Sequence, residues 1–353
     1  MRKVINVIGT KMFTLIIMFV GVTIIFTVWA ALIGEQFLSV NTFRIIGNLL
    51  VLTSFLAVGS GFLMVSGRLD LSASAIGAFS SVMLAACLRY WGMPTGVAIL
   101  LAIACSIVFG IINAVLVHEF NFAPFIGTLA MAGVVRGVMQ FVSVSPDTGV
   151  PMNVNYSNAI TRWIGTGEIG GVPAMLIFAL IVFTIYGLIL AKTKFGRSIY
   201  LIGGNKQAAE LSGLSPRKMT YILFGNSAFL ASIAGVIHMG RQSQGDLTAL
   251  GNNQFTGIIA AILGGVSFGG GSGNMAGVFV GLMVINTLTL GTVMVRLRFH
   301  WALMLEGLVL IIALALDHYN VKRELRAHDV TNSDDEKGGS NGKEHQAAAV
   351  AGK

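Results

Sequence analysis

Charged residues are scarce in this sequence, and their scarcity excludes an ordinary water-soluble globular protein. Asp, Glu, Lys and Arg together make up 11% of the 353 residues, whereas apolar residues make up 55% and the mean hydropathy is +0.80. Soluble domains carry about 25% charged residues. Uncharged runs of about 20 residues, the length that crosses a bilayer as a helix, recur along most of the chain. The composition therefore predicts an all-α, polytopic membrane helical bundle.

Sequence patterns for catalysis, metal binding and nucleotide binding are also scarce. Cys87 and Cys105 lie inside apolar runs without CxxC spacing, and the six His residues are scattered. No G-x-x-x-x-G-K-[ST] motif occurs, and the G-x-G-x-x-A match at 271–276 lies between apolar runs instead of in a strand-turn-helix unit. We therefore expect that the chain is not an enzyme and binds no metal, ATP or other cofactor itself.

The apolar runs predict ten membrane spans within one transmembrane domain, residues 12–318. The predicted spans are 12–33, 45–67, 71–88, 95–117, 122–143, 171–191, 219–239, 255–267, 273–295 and 299–316. The eighth is short, so we expect it to be tilted or broken. Gly273, Gly277 and Gly281 recur at every fourth position, a pattern that favours close packing of helices within one subunit over a dimer seam.

The basic residues predict the orientation of the chain. Residues 192–218 contain six Lys or Arg residues and one acid, Glu210, and they follow the sixth predicted span. Such a bias marks a cytoplasmic loop. Counting spans then places the N-terminus, residues 1–11, and the C-terminus in the cytoplasm. Residues 319–353 lack apolar periodicity, which predicts a disordered cytoplasmic tail. The net charge of +8 thus reflects topology in a lipid membrane, not binding to nucleic acid.

The basic loop also contains signals for a short helix. Asn205 is a suitable N-cap for a helix through Glu210, and Gly213 is suitable for its C-terminal end. Ser215 and Pro216 read as the N-cap and first residue of the next helix. A simple loop would be enough to connect two spans, so a capped helix here indicates an additional role.

The short helix carries adjacent alanines on a face that we expect to dock into a soluble partner. The alternative is an ordinary surface helix between two spans. The candidate docking residues are Gly203, Gly204, Asn205, Ala208, Ala209, Glu210 and Gly213.

Residues 196–214, GRSIYLIGGNKQAAELSGL, resemble the ATPase-contacting loop of the ribose-type permease family of ABC importers. Further segments agree in the same order: SGRLDLSAS (66–74), GIINAVLV (110–117), PFIGTLAM (124–131) and IAAILGGVSFGGGSGNMAG (259–277). The similarity covers roughly residues 40–317. Arg68 departs from it, because the family usually has Gly there, and so does Glu306, where a polar or basic residue is more usual.

The resemblance implies a type II-like permease of about ten spans in the cytoplasmic membrane of a prokaryote. It also implies three partners: an ATPase subunit that binds ATP and Mg, an extracytoplasmic sugar-binding protein, and a second permease subunit, identical or similar. The substrate class implied is a monosaccharide or a similar polyhydroxylated solute.

Ionisable residues inside apolar runs are candidates for function, because charge is costly in lipid. They are Asp70, Arg136 and Glu306. The structural alternatives are that Asp70 caps a helix beginning at Leu71 and that Arg136 snorkels or pairs with a carbonyl or an acid. The candidate translocation residues are Asp70, Ser72, Asn113, Thr128 and Asn48, with Pro124 and Phe125 breaking or gating a helix.

Three other functions fit an apolar, basic chain. A secondary transporter or facilitator would normally place coupling acids near the membrane midplane and show related halves, whereas this chain has few acids and no clear repeat. A branched-chain amino acid permease shares the ATPase-coupled plan, but the order of the motifs favours the sugar branch. A structural scaffold would not need the capped basic loop.

Overall fold

The structure is a computed structural model, and it divides the chain into two compact units, residues 1–310 and 311–353. It describes residues 10–251, 253–298, 300–301, 304–305, 307–309, 311–312 and 315. In the second unit, the described residues 311, 312 and 315 are helical. Glu306, part of the last predicted span and the predicted tail lie outside the described residues. The domain limits at 11 and 318 therefore stay predictions.

The first unit is a helical bundle, as the sequence predicts. Its helices are α1 (Thr10–Leu32), α2 (Val40–Val65), α3 (Ala73–Arg89), α4 (Thr95–His118), α5 (Pro124–Val142), α6 (Ala159–Thr166), α7 (Ala174–Lys192), α8 (Lys194–Gly204), α9 (Lys206–Leu211), α10 (Pro216–Gln242), α11 (Asn253–Leu263) and α12 (Met275–Met294). Seven described helices, α1, α2, α4, α5, α7, α10 and α12, are long and apolar enough to cross a membrane, and α3 and α11 are shorter apolar helices. The chain is therefore a multi-pass membrane protein.

The connector after α5 is more ordered than its Gly-rich and Pro-rich sequence indicates. It contains α6, whose N-cap Asn158 forms a reciprocal capping box with Thr161. Four two-residue strands are β1 (Val154–Asn155), β2 (Glu168–Ile169), β3 (Val172–Pro173) and β4 (Gln244–Gly245). β1 pairs antiparallel with β4, and β2 pairs antiparallel with β3. The connector is thereby attached to the chain that follows α10.

The centre of the bundle consists of α3 and the second half of α2. Every side chain from Leu50 to Ser66 is buried, and so is every side chain from Ala73 to Leu88. They pack against α10, which also contacts α4 and α6. By contrast, α1, α4 and α7 expose large apolar side chains such as Ile24, Leu100 and Ile181. Helices that are apolar on all sides fit a bundle with lipid around it.

Glycine allows α11 and α12 to approach at backbone distance. A Cβ atom added to Gly277 would lie 2.0 Å from the carbonyl oxygen of Gly264, and one added to Gly281 would lie 2.3 Å from that of Ala260. Both carbonyls belong to α11 or the residue that follows it. The every-fourth-position glycines therefore pack inside the subunit, as the sequence favours.

Three ion pairs agree with the predicted alternation of crossings. They are Arg44 with Glu168 (3.3 Å), Arg296 with Glu35 (2.9 Å) and Arg217 with Glu119 (2.8 Å). The first two pairs join segments that the span count assigns to the outer side, and the third joins two segments of the inner side. Which of these sides faces the cytoplasm stays a prediction.

We predict that Gly281→Ala destabilises the protein, because its methyl group would overlap the α11 backbone. Overpacking of this kind costs about 1–3 kcal/mol of unfolding free energy. Gly133→Ala in α5 is the matched control, since no atom lies within 4 Å of the added methyl group. Thermal unfolding in mild detergent should give a lower midpoint for Gly281→Ala than for Gly133→Ala. Equal midpoints would contradict the described packing of α11 on α12.

Candidate functional site: a buried polar network and a loop helix

A buried carboxylate lies in the non-helical segment between α2 and α3. Asp70 is 1% exposed, and its Oδ1 atom accepts hydrogen bonds from the Ser72 backbone N–H (2.8 Å) and hydroxyl (2.6 Å). Its Oδ2 atom accepts a hydrogen bond from the hydroxyl of Ser227 in α10 (2.9 Å). A buried charge without such donors would be costly. Asp70 therefore fastens the start of α3 to α10, and it does not act only as the local cap of a helix.

Two more of the predicted residues join this carboxylate. Asn113 in α4 donates from Nδ2 to the Ser72 hydroxyl (2.7 Å). The Thr128 hydroxyl in α5 accepts a hydrogen bond from the Leu71 backbone N–H (3.0 Å) and donates to the carbonyl of Pro124 (2.7 Å). Both Asn113 and Thr128 are fully buried. The network thus connects α4 and α5 to the segment that carries Asp70.

A glutamine of α11 completes the network from the opposite side. Gln254 donates from Nε2 to the backbone carbonyl of Asp70 (2.8 Å), and its Oε1 atom accepts from the Ser74 N–H (3.1 Å) and hydroxyl (2.8 Å). The side chain is 3% exposed. Sequence reasoning missed Gln254, Ser74 and Ser227, although each is a polar residue within an apolar run.

The other predicted pathway residues contribute at most a backbone carbonyl to the network. Pro124 is the first residue of α5, where a proline is tolerated because its missing N–H would have no helical partner, so it does not interrupt this helix. A gating role for Pro124 and Phe125 stays a prediction. Phe125 is 52% exposed. The Asn48 carbonyl in α2 accepts a hydrogen bond from Arg241. No contact places Asn48 or Phe125 with Asp70.

Arg136 lies beside a cavity next to the network. The cavity has a volume of 350 Å³ and is lined by Arg136 and Met139 of α5, Ser74 and Ala78 of α3, and residues near Thr248. The Arg136 side chain is exposed and lines this cavity. Ser74 belongs to both the cavity wall and the network. The network therefore reaches the wall of this cavity at Ser74.

The short helix in the basic loop forms with the ends that the sequence indicates. Asn205 caps α9 by accepting a hydrogen bond from the Ala208 N–H (2.9 Å). Gly213 follows with φ +81°, a conformation that favours glycine. Ser215 accepts a hydrogen bond from the Lys218 N–H (3.4 Å), and Pro216 is the first residue of α10. All of the predicted end signals are confirmed.

The exposed face of α9 differs from the predicted one. Ala208 is exposed, but Ala209 is 3% exposed and packs inward. Adjacent residues point about 100° apart on a helix, so the two alanines do not share a face. Leu211, which sequence reasoning missed, is 91% exposed. The free surface of α9 therefore combines Ala208 and Leu211 with polar side chains.

Backbone contacts connect this loop helix to the network. A Cβ atom at Gly203 would lie 2.0 Å from the Val65 carbonyl oxygen, and one at Gly271 would lie 2.8 Å from the Gly204 Cα atom. The Gly271 N–H also donates to the Val65 carbonyl (2.8 Å). The residues just before α9 thus touch the C-terminal end of α2, the helix that leads to Asp70. The functional roles of these loop residues stay predictions.

A protein family described as a branched-chain amino acid transport system, permease component, matches residues 41–314. The chain belongs to this permease family. The match includes the whole polar network and the loop with α9. In the described part of the permease, no three His, Cys, Asp or Glu side chains lie close enough together to bind a metal ion.

Curated relatives of this permease cover most of its length. A ribose import permease of Bacillus subtilis (strain 168) is 32% identical over 75% of this chain and 81% of its own. A probable ABC transporter permease of Escherichia coli (strain K12) is 28% identical over 75% and 78%. A xylose transport system permease of Haemophilus influenzae (strain ATCC 51907 / DSM 11121 / KW20 / Rd) is 29% identical over 87% and 96%. No solved structure gives a significant match.

We predict that Thr128→Val destabilises the permease more than Thr184→Val does. Both hydroxyls donate to a carbonyl one turn earlier, but only the Thr128 hydroxyl also accepts from a distant buried amide, that of Leu71. Leaving that amide without an acceptor costs about 1–3 kcal/mol.

The measurement is thermal unfolding of both variants in the same detergent. Thr184→Val should stay close to the parent protein, because a surface substitution usually changes stability by less than about 0.5 kcal/mol. A Thr128→Val midpoint equal to that of the control would show that the network does not depend on this hydroxyl.

Proposed function

We propose that this chain is the permease subunit of an ATP-binding-cassette importer for a monosaccharide or a similar polyhydroxylated solute. The observation that carries the proposal is the buried set of hydroxyl and amide groups around Asp70, next to a cavity, in a chain of a permease family. Relatives named for import of ribose and transport of xylose support the sugar class over the branched-chain amino acids of the family description.

The chemistry of the network suits a neutral, hydroxyl-rich solute. Its side chains are short hydroxyls and amides, which both donate and accept hydrogen bonds. The buried Oδ1 atom of Asn113 has no hydrogen-bond partner among the described residues, so one acceptor is left for a solute hydroxyl. Both carboxylate oxygens of Asp70, by contrast, are already bonded to serines. A charged amino acid would need a free counter-charge at this point.

The loop helix α9 provides the connection to an ATPase subunit. In this proposal, Ala208 and Leu211 dock on the ATPase, which binds ATP and Mg, while this chain binds neither. Movement of α9 passes through Gly203 to the end of α2, because the backbones of Gly203 and Val65 are in contact. The segment around Asp70 then shifts, and the bundle alternates between its outer and inner openings.

In the same proposal the chain has a defined orientation in the membrane and two further partners. The side of α9 and of both chain ends is cytoplasmic, and the side of α6 faces an extracytoplasmic binding protein. A second permease subunit, identical or similar to this one, completes the pathway within the membrane of a prokaryote. A secondary transporter or facilitator is the alternative, and it would need neither ATPase nor binding protein.

We predict that Leu211→Asp and Ala208→Glu weaken capture of an ATPase by the purified chain. Both substitutions put a charge on the exposed face of α9 without disturbing a buried side chain. Co-purified ATPase activity should fall by about tenfold or more, the effect of losing at least roughly 1.4 kcal/mol of binding free energy.

Val150→Asp is the matched control for that capture experiment, since Val150 is an exposed apolar residue in the connector after α5. It should leave the captured ATPase unchanged. If Val150→Asp and Leu211→Asp have equal effects, α9 is not the docking site.

We further predict that sugar uptake by the reconstituted importer stops when its ATPase is inhibited with vanadate. Uptake should continue when an ionophore dissipates ion gradients, because solute movement is driven by the ATPase and not by ion coupling. The assay is uptake of radiolabelled ribose and xylose into vesicles. Uptake that follows the ion gradient and ignores vanadate would favour the secondary transporter.

A further inference from the structure

Basic side chains from three separate segments converge on a second cavity, at the same end of the bundle as α9. The cavity has a volume of 310 Å³. Its polar lining includes Arg68 from the α2–α3 segment, His118 from the end of α4, Lys206 from the start of α9, and Asn121. None of these four residues belongs to the network around Asp70, so the cavity is a separate site.

Arg68 has no acidic partner among the residues that the structure describes. Its Nη1 atom donates to the backbone carbonyl (3.2 Å) and hydroxyl (3.4 Å) of Ser66, and within the described chain no carboxylate forms a salt bridge with it. The side chain is half-buried, and this burial lowers the pKa of the guanidinium. A half-buried cation bonded only to neutral groups is left with unused donors, since a guanidinium carries five N–H bonds.

The nearest acids along the chain are already bound elsewhere. Both oxygens of Asp70 accept from serines, and Glu119 pairs with Arg217 (2.8 Å) and accepts from the Tyr221 hydroxyl (3.1 Å). Glu210, one turn after Lys206, forms no salt bridge with it in the described structure. Arg68 and Lys206 therefore form no salt bridge with a carboxylate of the described chain.

We propose that this cavity binds a phosphate group, carried either by a phosphorylated solute or by a phospholipid headgroup. The planar guanidinium of Arg68 matches two phosphate oxygens, and Lys206 adds a point charge. His118 and Asn121 supply further donors. A volume of 310 Å³ is within the range of small-ligand cavities, about 300–1,000 Å³, and leaves room for the group attached to the phosphate.

A phosphate here would bridge parts that the transport proposal requires to move. It would contact Lys206 on α9, Arg68 on the segment leading to Asp70, and His118 on α4. A ligand that binds only this arrangement increases its population relative to others. The effect on transport rests on the proposed function, whereas the binding itself does not.

The test uses the full chain in nanodiscs of phosphatidylcholine, titrated with ribose 5-phosphate, and with ribose as the uncharged probe. The variants are Arg68→Gln and, as the matched control, Lys218→Gln, which removes a charge from an exposed residue of α10 outside the cavity. Ribose 5-phosphate should bind saturably and ribose should not. Arg68→Gln should weaken binding about tenfold or more, and Lys218→Gln by less than about twofold.

A second arm identifies a lipid source. The same variants are purified from membranes that contain phosphatidylglycerol, and retained lipid is counted by native mass spectrometry. If the ligand is a headgroup, Arg68→Gln loses a lipid that the parent protein and Lys218→Gln both retain, while the titration with ribose 5-phosphate is flat. Either pattern supports a phosphate site and names its source.

The proposal is overturned if Arg68→Gln and Lys218→Gln behave alike in both arms, because the effect would then be diffuse surface charge. Size-exclusion chromatography checks that each variant is folded. Should Arg68→Gln aggregate, Arg68→Lys and Lys206→Gln replace it: the first should keep part of the affinity and the second should lose it. None of these outcomes depends on an ATPase or on sugar transport, so the two proposals fail independently.

Discussion

Burial of the Asp70 carboxylate is the constraint on which the centre of this permease depends. A buried carboxylate needs hydrogen-bond donors from the protein, and here they come both from a neighbouring residue and from a helix far away in sequence. Ser72 supplies two of them and Ser227 the third, while Gln254 holds the backbone of the same residue. Satisfying one acid therefore fixes how α3, α10 and α11 meet.

The same segment links two regions with different chemistry. Toward one side it continues through Ser74 to a cavity that is also lined by Thr248 and Arg136. Toward the other side it follows directly from α2, whose end touches Gly203 and Gly271 at backbone distance. Glycine is required at these contacts because any side chain would overlap a neighbouring carbonyl or amide. A short path of backbone contacts thus joins the proposed solute site to the proposed docking site of an ATPase.

Charge is distributed unevenly between these regions. The polar network has one acid satisfied by neutral donors, whereas the cavity beside α9 has Arg68, His118 and Lys206 without an acid. Neutral contacts suit passage of a sugar, since tight charged contacts would retain it. A fixed excess of positive charge suits retention of an anion. The network around Asp70 and the cavity around Arg68 therefore differ in their charged groups, although Asp70 and Arg68 are only two residues apart.

The sequence by itself determined what depends on local chemistry. Long uncharged runs specify membrane helices, and Asn205, Gly213 and Ser215 specify where the loop helices begin and end, because caps act within a few residues. The tertiary structure alone decided that Ser227 and Gln254 bind Asp70 and that Ala209 is buried whereas Leu211 is exposed. It also decided that no acid of the described chain lines the cavity around Arg68. These depend on which helix faces lie together in space, and periodicity gives the face of a helix but not its neighbour.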